Sequence, residues 1–155
     1  MPLRKLSLLL FSLLLVGTMF AQDVILKEGK YIIAKSGAFY TGIHKEYDSD
    51  HILVAQHSIT NGILNGFTVT YYPSGAKKEE RSYRDGKKDG TWINWNESGI
   101  RIAEARFKDG KKDGFWYVWD DQGVKRYEMF YEMGEKKGSW LIWDESGKLV
   151  SRTEY

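Results

Sequence analysis

The sequence predicts an all-β protein: an elongated, single-layer antiparallel meander of about five β-hairpin repeats, each 24 residues long. Three observations support this prediction: a fixed period, turns marked by glycine, and strand-like alternation between the turns. The opening glycines of four units are Gly66, Gly90, Gly114 and Gly138, and the closing glycines are Gly75, Gly99, Gly123 and Gly147. Self-similarity at one fixed spacing is the signature of a repeat architecture.

Each unit contains two short strands and two turns. Before the opening glycine of one unit stands Asp85-Gly86, and Asp-Gly between alternating segments is a strong hairpin signal because glycine accepts a positive φ. About six residues after the opening glycine favour strands, and the second turn of the same unit is 96–99. Residues 103–107 alternate between apolar side chains and Glu104, which is the period of a strand and not of a helix.

The aromatic residues of a unit are predicted to lie on both faces of the sheet. Trp92 and Trp95 are three residues apart, so they face opposite sides of a regular strand. We expect Ala105 and Phe107 on the Trp92 side and Glu104 on the Trp95 side. Equivalent residues lie two strands apart, so the aromatic side chains should form ladders with a spacing of about 9.6 Å.

The N-terminal segment, 1–21, has the pattern of a secretory signal peptide. Arg4 and Lys5 precede an apolar run over 6–16, and the small residue Ala21 marks the predicted cleavage position. An uncleaved anchor is the alternative. The protein is therefore predicted to be exported and to be periplasmic, outer-membrane-associated or extracellular.

The remaining chain is predicted to divide into capping strands over 22–41 and a repeat domain over 42–155. Segment 1–21 holds two of the 23 Lys and Arg residues and no acid, so the rest has 23 − 2 = 21 basic and 21 acidic residues. This balance gives no support to nucleic-acid binding. The chain has no cysteine, which excludes a disulfide framework and a lipidated cysteine anchor.

The repeated phrase resembles the MORN-repeat family. The pattern is an aromatic residue, then x-Asp-Gly-Lys-x-Asp-Gly-x-Trp, and it occurs at 83–92 and again at 107–116. It is most similar to the bacterial variant whose units are often labelled as antitoxins of a toxin–antitoxin system (YwqK type). The likeness extends over roughly 38–155. The resemblance implies an elongated single-layer β-sheet used for protein or lipid contact, and it implies no catalytic residues.

Few residues suggest a catalytic or metal-binding site. His44 and His51 with Asp48 match no metal-ligand spacing, and the three histidines are interpreted as polar residues at turns and edges. The acid pairs at 120–121 and 144–145 lie in repeated turns, where Asp caps the backbone.

Lysine pairs at 87–88, 111–112 and 136–137 are interpreted as solvated turn residues, with contact to acidic lipid or to a partner as the alternative. No phosphate-binding loop, nucleophile elbow or zinc-protease motif is present in the sequence. We therefore predict that the protein is not an enzyme and has no cofactor and no bound metal.

The candidate binding residues are four aromatic residues spaced by 24: Tyr71, Trp95, Trp119 and Trp143. They are predicted to form an aromatic strip that binds a peptide, a protein or a glycan, whereas packing within the sheet is the structural alternative. The predicted function is an exported, non-enzymatic protein-binding or scaffolding module with an unidentified protein partner. Strand addition at the C-terminal edge is one mode of contact. The alternatives are an antitoxin-like inhibitor, and contact with an envelope glycan or lipid through the aromatic strip.

Overall fold

The computed structural model describes residues 23–155, and the predicted signal peptide lies outside them. Two strands, β1 (Val24–Lys27) and β2 (Lys30–Ile33), form a separate two-stranded sheet. The other strands are β3 (Gly42–Tyr47), β4 (Leu53–Thr60), β5 (Ile63–Tyr71), β6 (Lys77–Arg84), β7 (Lys87–Trp95), β8 (Arg101–Lys108), β9 (Lys111–Lys112), β10 (Gly114–Trp119), β11 (Lys125–Glu132), β12 (Glu135–Trp143) and β13 (Leu149–Glu154). Nothing in the described range is a helix of the length and apolarity that crossing a membrane requires.

The larger sheet is an open antiparallel meander of 11 strands, in which the strands follow each other in sequence order from β3 to β13. The short strand β9 pairs with β8 and continues into β10. Five hairpins result: β3–β4, β5–β6, β7–β8, β10–β11 and β12–β13. The predicted all-β repeat fold is confirmed.

The turns that join one unit to the next are two-residue hairpin turns. Asp85 and Gly86 have φ values of 49° and 78°, which is the double positive φ of a type I′ turn. The same pattern occurs at 28–29, 61–62, 109–110 and 133–134. Because these turns match the twist of the strands, each unit continues directly into the next.

Three of the opening glycines, Gly66, Gly90 and Gly138, lie inside strands, whereas Gly114 begins β10 as the sequence pattern suggested. Gly90 has a φ of 91° and lies within β7, where the pairing with β6 shifts register. A Cβ at Gly90 would come within 3.0 Å of the Ser82 hydroxyl oxygen, and one at Gly66 within 3.0 Å of the Ser58 Cβ. Glycine is therefore required by a bulge against the preceding strand, which is a contact between strands that no local pattern reveals.

Neighbouring units are also joined at their hairpin tips. The Gly86 amide donates to the Leu64 carbonyl at 2.8 Å, and the Gly110 amide donates to the Lys88 carbonyl at 2.8 Å. Side chains add a second bond, since an Asp89 carboxylate oxygen accepts from the Asp109 amide at 3.1 Å. The second Asp of each Asp-Gly-Lys-Lys-Asp-Gly phrase thus holds the turn of the following unit.

The turns on the other rim are capped by side chains, as predicted. One carboxylate oxygen of Asp144 accepts from the amides of Ser146 and Lys148 at 2.9 and 3.0 Å. An oxygen of Asp120 accepts in the same way from Gln122 and Val124. These bonds fix a four-residue turn.

Candidate binding surface

The sheet has two chemically different faces, which strand alternation separates. One, here called the ladder face, carries a continuous row of aromatic rings contributed alternately by the two strands of each unit. The row consists of Tyr83, Trp92, Phe107, Trp116, Tyr131, Trp140 and Tyr155, with successive centroids 4.7 to 5.5 Å apart. These are the distances of favourable tilted and edge-to-face ring contacts. As predicted, Ala105 pairs with Trp92 and Phe107 packs against it.

Lysine side chains cover the ladder. The sequence analysis interpreted these lysines as solvated turn residues and missed this contact. The ammonium of Lys88 lies 4.4 Å from the Trp92 ring centroid, and that of Lys112 lies 4.2 Å from the Trp116 centroid. Lys136 repeats this contact with Trp140 at 4.3 Å. The lysines therefore form cation–π contacts with the ladder, whereas fully solvated side chains in the turns would form none.

The indole nitrogens of the ladder are satisfied by the backbone of the preceding strand. Trp92 Nε1 donates to the Ser82 carbonyl at 3.0 Å, and Trp116 Nε1 donates to the Arg106 carbonyl at 3.1 Å. Four of the five buried side chains, Ala55, Ile59, Thr68 and Tyr131, lie on this face. The ladder face is thus the core of a single-layer sheet.

The opposite face carries the four candidate residues, Tyr71, Trp95, Trp119 and Trp143, all of them half-buried. Within residues 23–155, none of them forms a ring pair with another of the four. Basic residues lie between them, because Arg101 pairs with Trp95 and Lys125 pairs with Trp119. The strip is consequently an alternation of aromatic and basic side chains.

Acidic residues beside this strip neutralise its basic members. Lys77 and Glu80 form an ion pair at 2.8 Å, Lys125 and Glu128 form one at 2.8 Å, and Arg101 binds Glu104 in the same way. Glu104 lies on the Trp95 side, as expected from the sequence. Burial, together with the Glu128 carboxylate, raises the pKa of Tyr117 on this face above its ordinary value.

Large apolar side chains on the opposite face are exposed to solvent. Phe67 is 55% exposed and Phe115 is 43% exposed, and they occupy equivalent positions two units apart. Ile43 occupies the same position in the first unit and is also exposed. Phe115 contacts Tyr117 and Phe130, so an apolar patch extends across β10 and β11. Contiguous exposed apolar surface of this kind marks contact sites.

A polar cluster occupies the N-terminal end of the ladder face, where the aromatic row is replaced. His44 and His57 are paired residues of β3 and β4, and their Nε2 atoms lie 3.8 and 3.3 Å from one Glu46 oxygen. The ring of Tyr31, from β2, packs on both imidazoles. No local sequence pattern predicts this cluster, because its members come from three strands. His51 lies apart in a turn, with a φ of 63°.

The cluster does not have the geometry of a metal site. Throughout the described residues, no three His, Asp or Glu side chains are grouped so that they would hold a metal ion. Tyr31 is partly buried, and this burial, with the nearby Glu46 carboxylate, raises the pKa of its hydroxyl. Tyr31 thus docks the N-terminal hairpin on the larger sheet.

Comparison with known families adds one match, at the C-terminal end of the chain. Residues 136–155 match the family model of the MORN repeat variant. This segment is similar to the MORN repeat variant. It contains most of β12, with Trp140, and all of β13. The resemblance to the MORN-repeat family is therefore confirmed, whereas the antitoxin (YwqK-type) label stays a prediction.

The matched segment has the geometry of the earlier units. Trp140 occupies the ladder position of Trp92 and Trp116, and Gly147 occupies the closing position of Gly99. No curated protein matches the chain. A MORN repeat points to a repeat-type binding module, and it names no particular ligand.

Proposed function

We propose that this chain is an exported, non-enzymatic protein-binding module that contacts its partner through the opposite face of the sheet. The observation that carries the proposal is the exposure of Phe67 and Phe115, two large apolar side chains at equivalent positions on the opposite face. The ladder face uses its rings for internal packing, whereas these two side chains contribute little to it. Exposed aromatic side chains are typical anchors of protein interfaces.

The aromatic and basic strip supports the same proposal. Trp and Arg are enriched in interfaces, and here Trp95, Arg101 and Trp119 alternate beside the apolar patch. The ion pairs of this strip are intramolecular, so a partner meets a nearly neutral surface. Flat, neutral and aromatic surfaces suit a folded protein better than an anionic lipid bilayer.

The test is partner capture with a double variant, Phe67→Ser with Phe115→Ser. The immobilised full chain is exposed to envelope extract from the source cell, and the bound protein is quantified by mass spectrometry. We expect a stoichiometric partner whose recovery falls at least tenfold with the double variant, because each interface anchor contributes roughly 1–2 kcal/mol or more.

The matched control is Tyr127→Ser, because Tyr127 is also 43% exposed but lies on the ladder face. This control should leave partner recovery unchanged. Equal loss with both variants, together with unchanged circular dichroism, would contradict a site on the opposite face. Unchanged recovery with the double variant would do the same.

Export is proposed from the sequence of residues 1–21 alone. Arg4 and Lys5, the apolar run over 6–16 and Ala21 support it. Fractionation of cells that express the full chain tests this point. An envelope or secreted protein that begins near residue 22 is expected, and an intact cytoplasmic chain would contradict export.

Two alternatives predict different results. An antitoxin-like inhibitor would recover one toxic protein from the same compartment and would suppress its activity. Glycan contact through Trp95, Trp119 and Trp143 would instead give retention on a glycan array, with loss on Trp119→Ala. The basic side chains between these rings argue against sugar stacking, because Lys77 and Lys125 already lie within 5.8 and 5.2 Å of Trp95 and Trp143.

A further inference from the structure

One strand of the repeat sheet lacks the neighbour that its equivalents have. The first strand of each later unit pairs on its N-terminal side with the preceding strand, as β5 does with β4 and β7 does with β6. In contrast, β3 pairs with β4 alone among the described strands. The outer edge of β3 is therefore an open position in an otherwise regular pattern.

The N-terminal hairpin does not fill this position. It bonds to the segment before β3, since the Ile33 amide donates to the Ala38 carbonyl and the Tyr40 amide donates to the Tyr31 carbonyl. An isolated bridge joins Ile32 and Phe39. β1 and β2 form a sheet of their own, so the hairpin does not pair with β3.

A cleft of about 690 Å³ lies where the missing strand would run. Val24, Ile25 and Ala34 form one wall, and Lys45 and Tyr47 are on the other. This volume is within the range of about 300–1,000 Å³ found for ligand sites. Ile25 and Tyr47 are exposed there, so the cleft offers apolar as well as polar contacts.

The backbone of β3 presents hydrogen-bonding groups to this cleft. The Asp48 amide donates across to the Ile52 carbonyl, towards β4, and groups on a strand point alternately to the two sides. The amides of Lys45 and Tyr47 therefore point away from β4. The Ile43 carbonyl also points away, and it accepts from the Tyr40 hydroxyl at 3.0 Å.

We propose that the free edge of β3 accepts an extended peptide segment of a partner protein as an added antiparallel strand. Strand addition supplies backbone hydrogen bonds, and side chains at alternate positions supply specificity. The peptide carries an acidic residue, because Lys45 is the charged side chain of β3 that lines the cleft. An acidic residue opposite Lys45 forms a cross-strand ion pair.

The chain itself contains a strand with this chemistry. β8 pairs with β10 so that Glu104 lies opposite Tyr117 and Ala103 lies opposite Val118. Tyr117 and Val118 are the equivalents of Lys45 and Glu46, three units later. The octapeptide RIAEARFK, which copies Arg101–Lys108, would therefore place an acid opposite Lys45 in the same register. It is the probe used in the test.

The experiment titrates this peptide, acetylated and amidated, into the ¹⁵N-labelled full chain and follows amide chemical shifts and amide exchange. Shifts and slower exchange are expected at Lys45 and Tyr47. A peptide with Lys in place of Glu should bind roughly two- to fivefold more weakly, as expected for one cross-strand charge pair. Lys45→Glu should reverse this preference, and Lys45 is exposed, so the variant keeps the fold.

Three outcomes would overturn the proposal. Amides of Lys45 and Tyr47 that already exchange slowly in the free chain would show that the chain covers this edge itself. Shifts confined to β13 or to the residues around Phe67 and Phe115 would place the peptide elsewhere. If Lys45→Glu still bound the Glu peptide more tightly than the Lys peptide, the proposed ion pair with Lys45 and the proposed register would both be wrong. The opposite-face proposal is unaffected by these outcomes, because its test uses different residues.

Discussion

Met133 is the residue least suited to its backbone conformation. It has a φ of 49° at the first position of a type I′ turn, where the other units have Glu28, Asn61, Asp85 and Asp109. The left-handed region costs a residue other than glycine roughly 1–2 kcal/mol, and Asn and Asp tolerate it best. Met133 is also exposed, so its side chain gains little from packing.

Met133→Asn should therefore raise the free energy of unfolding by about 1 kcal/mol, because the strain of the left-handed conformation falls. Urea denaturation followed by tryptophan fluorescence measures this change. Met133→Ala is the control, since alanine keeps the strain. A gain in Met133→Asn no larger than that in Met133→Ala would contradict this account of the turn.

Asp144 is the residue whose protonation is most clearly linked to a turn. The Ser146 hydroxyl, which donates to its carboxylate at 2.7 Å, is the first cause that lowers the pKa of Asp144, and the Lys148 amide is the second. A carboxyl with a lowered folded-state pKa stabilises the fold above its ordinary pKa. That stabilisation is lost as the pH falls through the lowered pKa.

Ser146→Ala should raise the pKa of Asp144 towards its ordinary value, which ¹³C NMR of the carboxyl carbon can follow. The turn should then lose its stabilisation at a higher pH than in the unmodified chain. Ser98→Ala is the matched control, since Ser98 is the equivalent residue two units earlier. Equal titration of Asp144 in all three proteins would exclude the hydroxyl as the cause.

At the scale of elements, the hairpin tips are held by the unit that precedes them. An oxygen of Asp113 accepts from the Met133 amide at 3.0 Å, as Asp89 does from Asp109. In earlier units the acceptor is uncharged: the Thr41 hydroxyl oxygen accepts from the Asn61 amide at 2.9 Å, and the Asn65 side-chain oxygen accepts from the Asp85 amide at 3.4 Å. The tip of one hairpin is thus positioned by a side chain 20 residues earlier.

Asp113→Ala should lower the free energy of unfolding by roughly 0.5–1.5 kcal/mol, the usual net worth of one hydrogen bond. Chemical denaturation measures it, and hydrogen exchange at the Met133 amide should increase in the same variant. Asp121→Ala, in an exposed turn of the other rim, is the control and should change neither. Unchanged hydrogen exchange at the Met133 amide in Asp113→Ala would contradict this role of the Asp113 carboxylate.

Much of this element-level organisation could be predicted from the sequence. The period, the Asp-Gly turns and the alternation in 103–107 are local, and they predicted the hairpins and the two faces. The position of Gly90 within a strand depends on the Ser82 side chain of another strand. Likewise, Lys88 reaches Trp92 and Phe107 only because of strand register. Contacts between strands are absent from any local pattern, so these features were missed.

The binding surface was predicted only in part for the same reason. The 24-residue spacing placed Trp95, Trp119 and Trp143 in one row, but it did not show the basic residues between them. Phe67 and Phe115 were not predicted as a set, because the equivalent position of the unit between them is Thr91 and not an aromatic residue. Their importance depends on exposure, which composition does not report.

At the scale of the whole molecule, stability is shared between neighbouring units. A hairpin alone is marginal in water, and no second layer covers the described sheet. The ladder supplies the missing burial, because each ring packs against rings of the adjacent strands. Such arrays are expected to tolerate the loss of one whole unit, since the new neighbours have equivalent surfaces.

The most direct test of this account compares two deletions in the repeat domain. Removing 90–113 takes out one unit of 24 residues and joins equivalent positions, whereas removing 90–101 takes out half a unit and breaks the antiparallel order. Far-UV circular dichroism during urea titration measures both. A cooperative transition with a smaller m-value is predicted for the 24-residue deletion, and no folded baseline for the 12-residue deletion. Equal loss of structure in both proteins would contradict a sheet built from exchangeable 24-residue units.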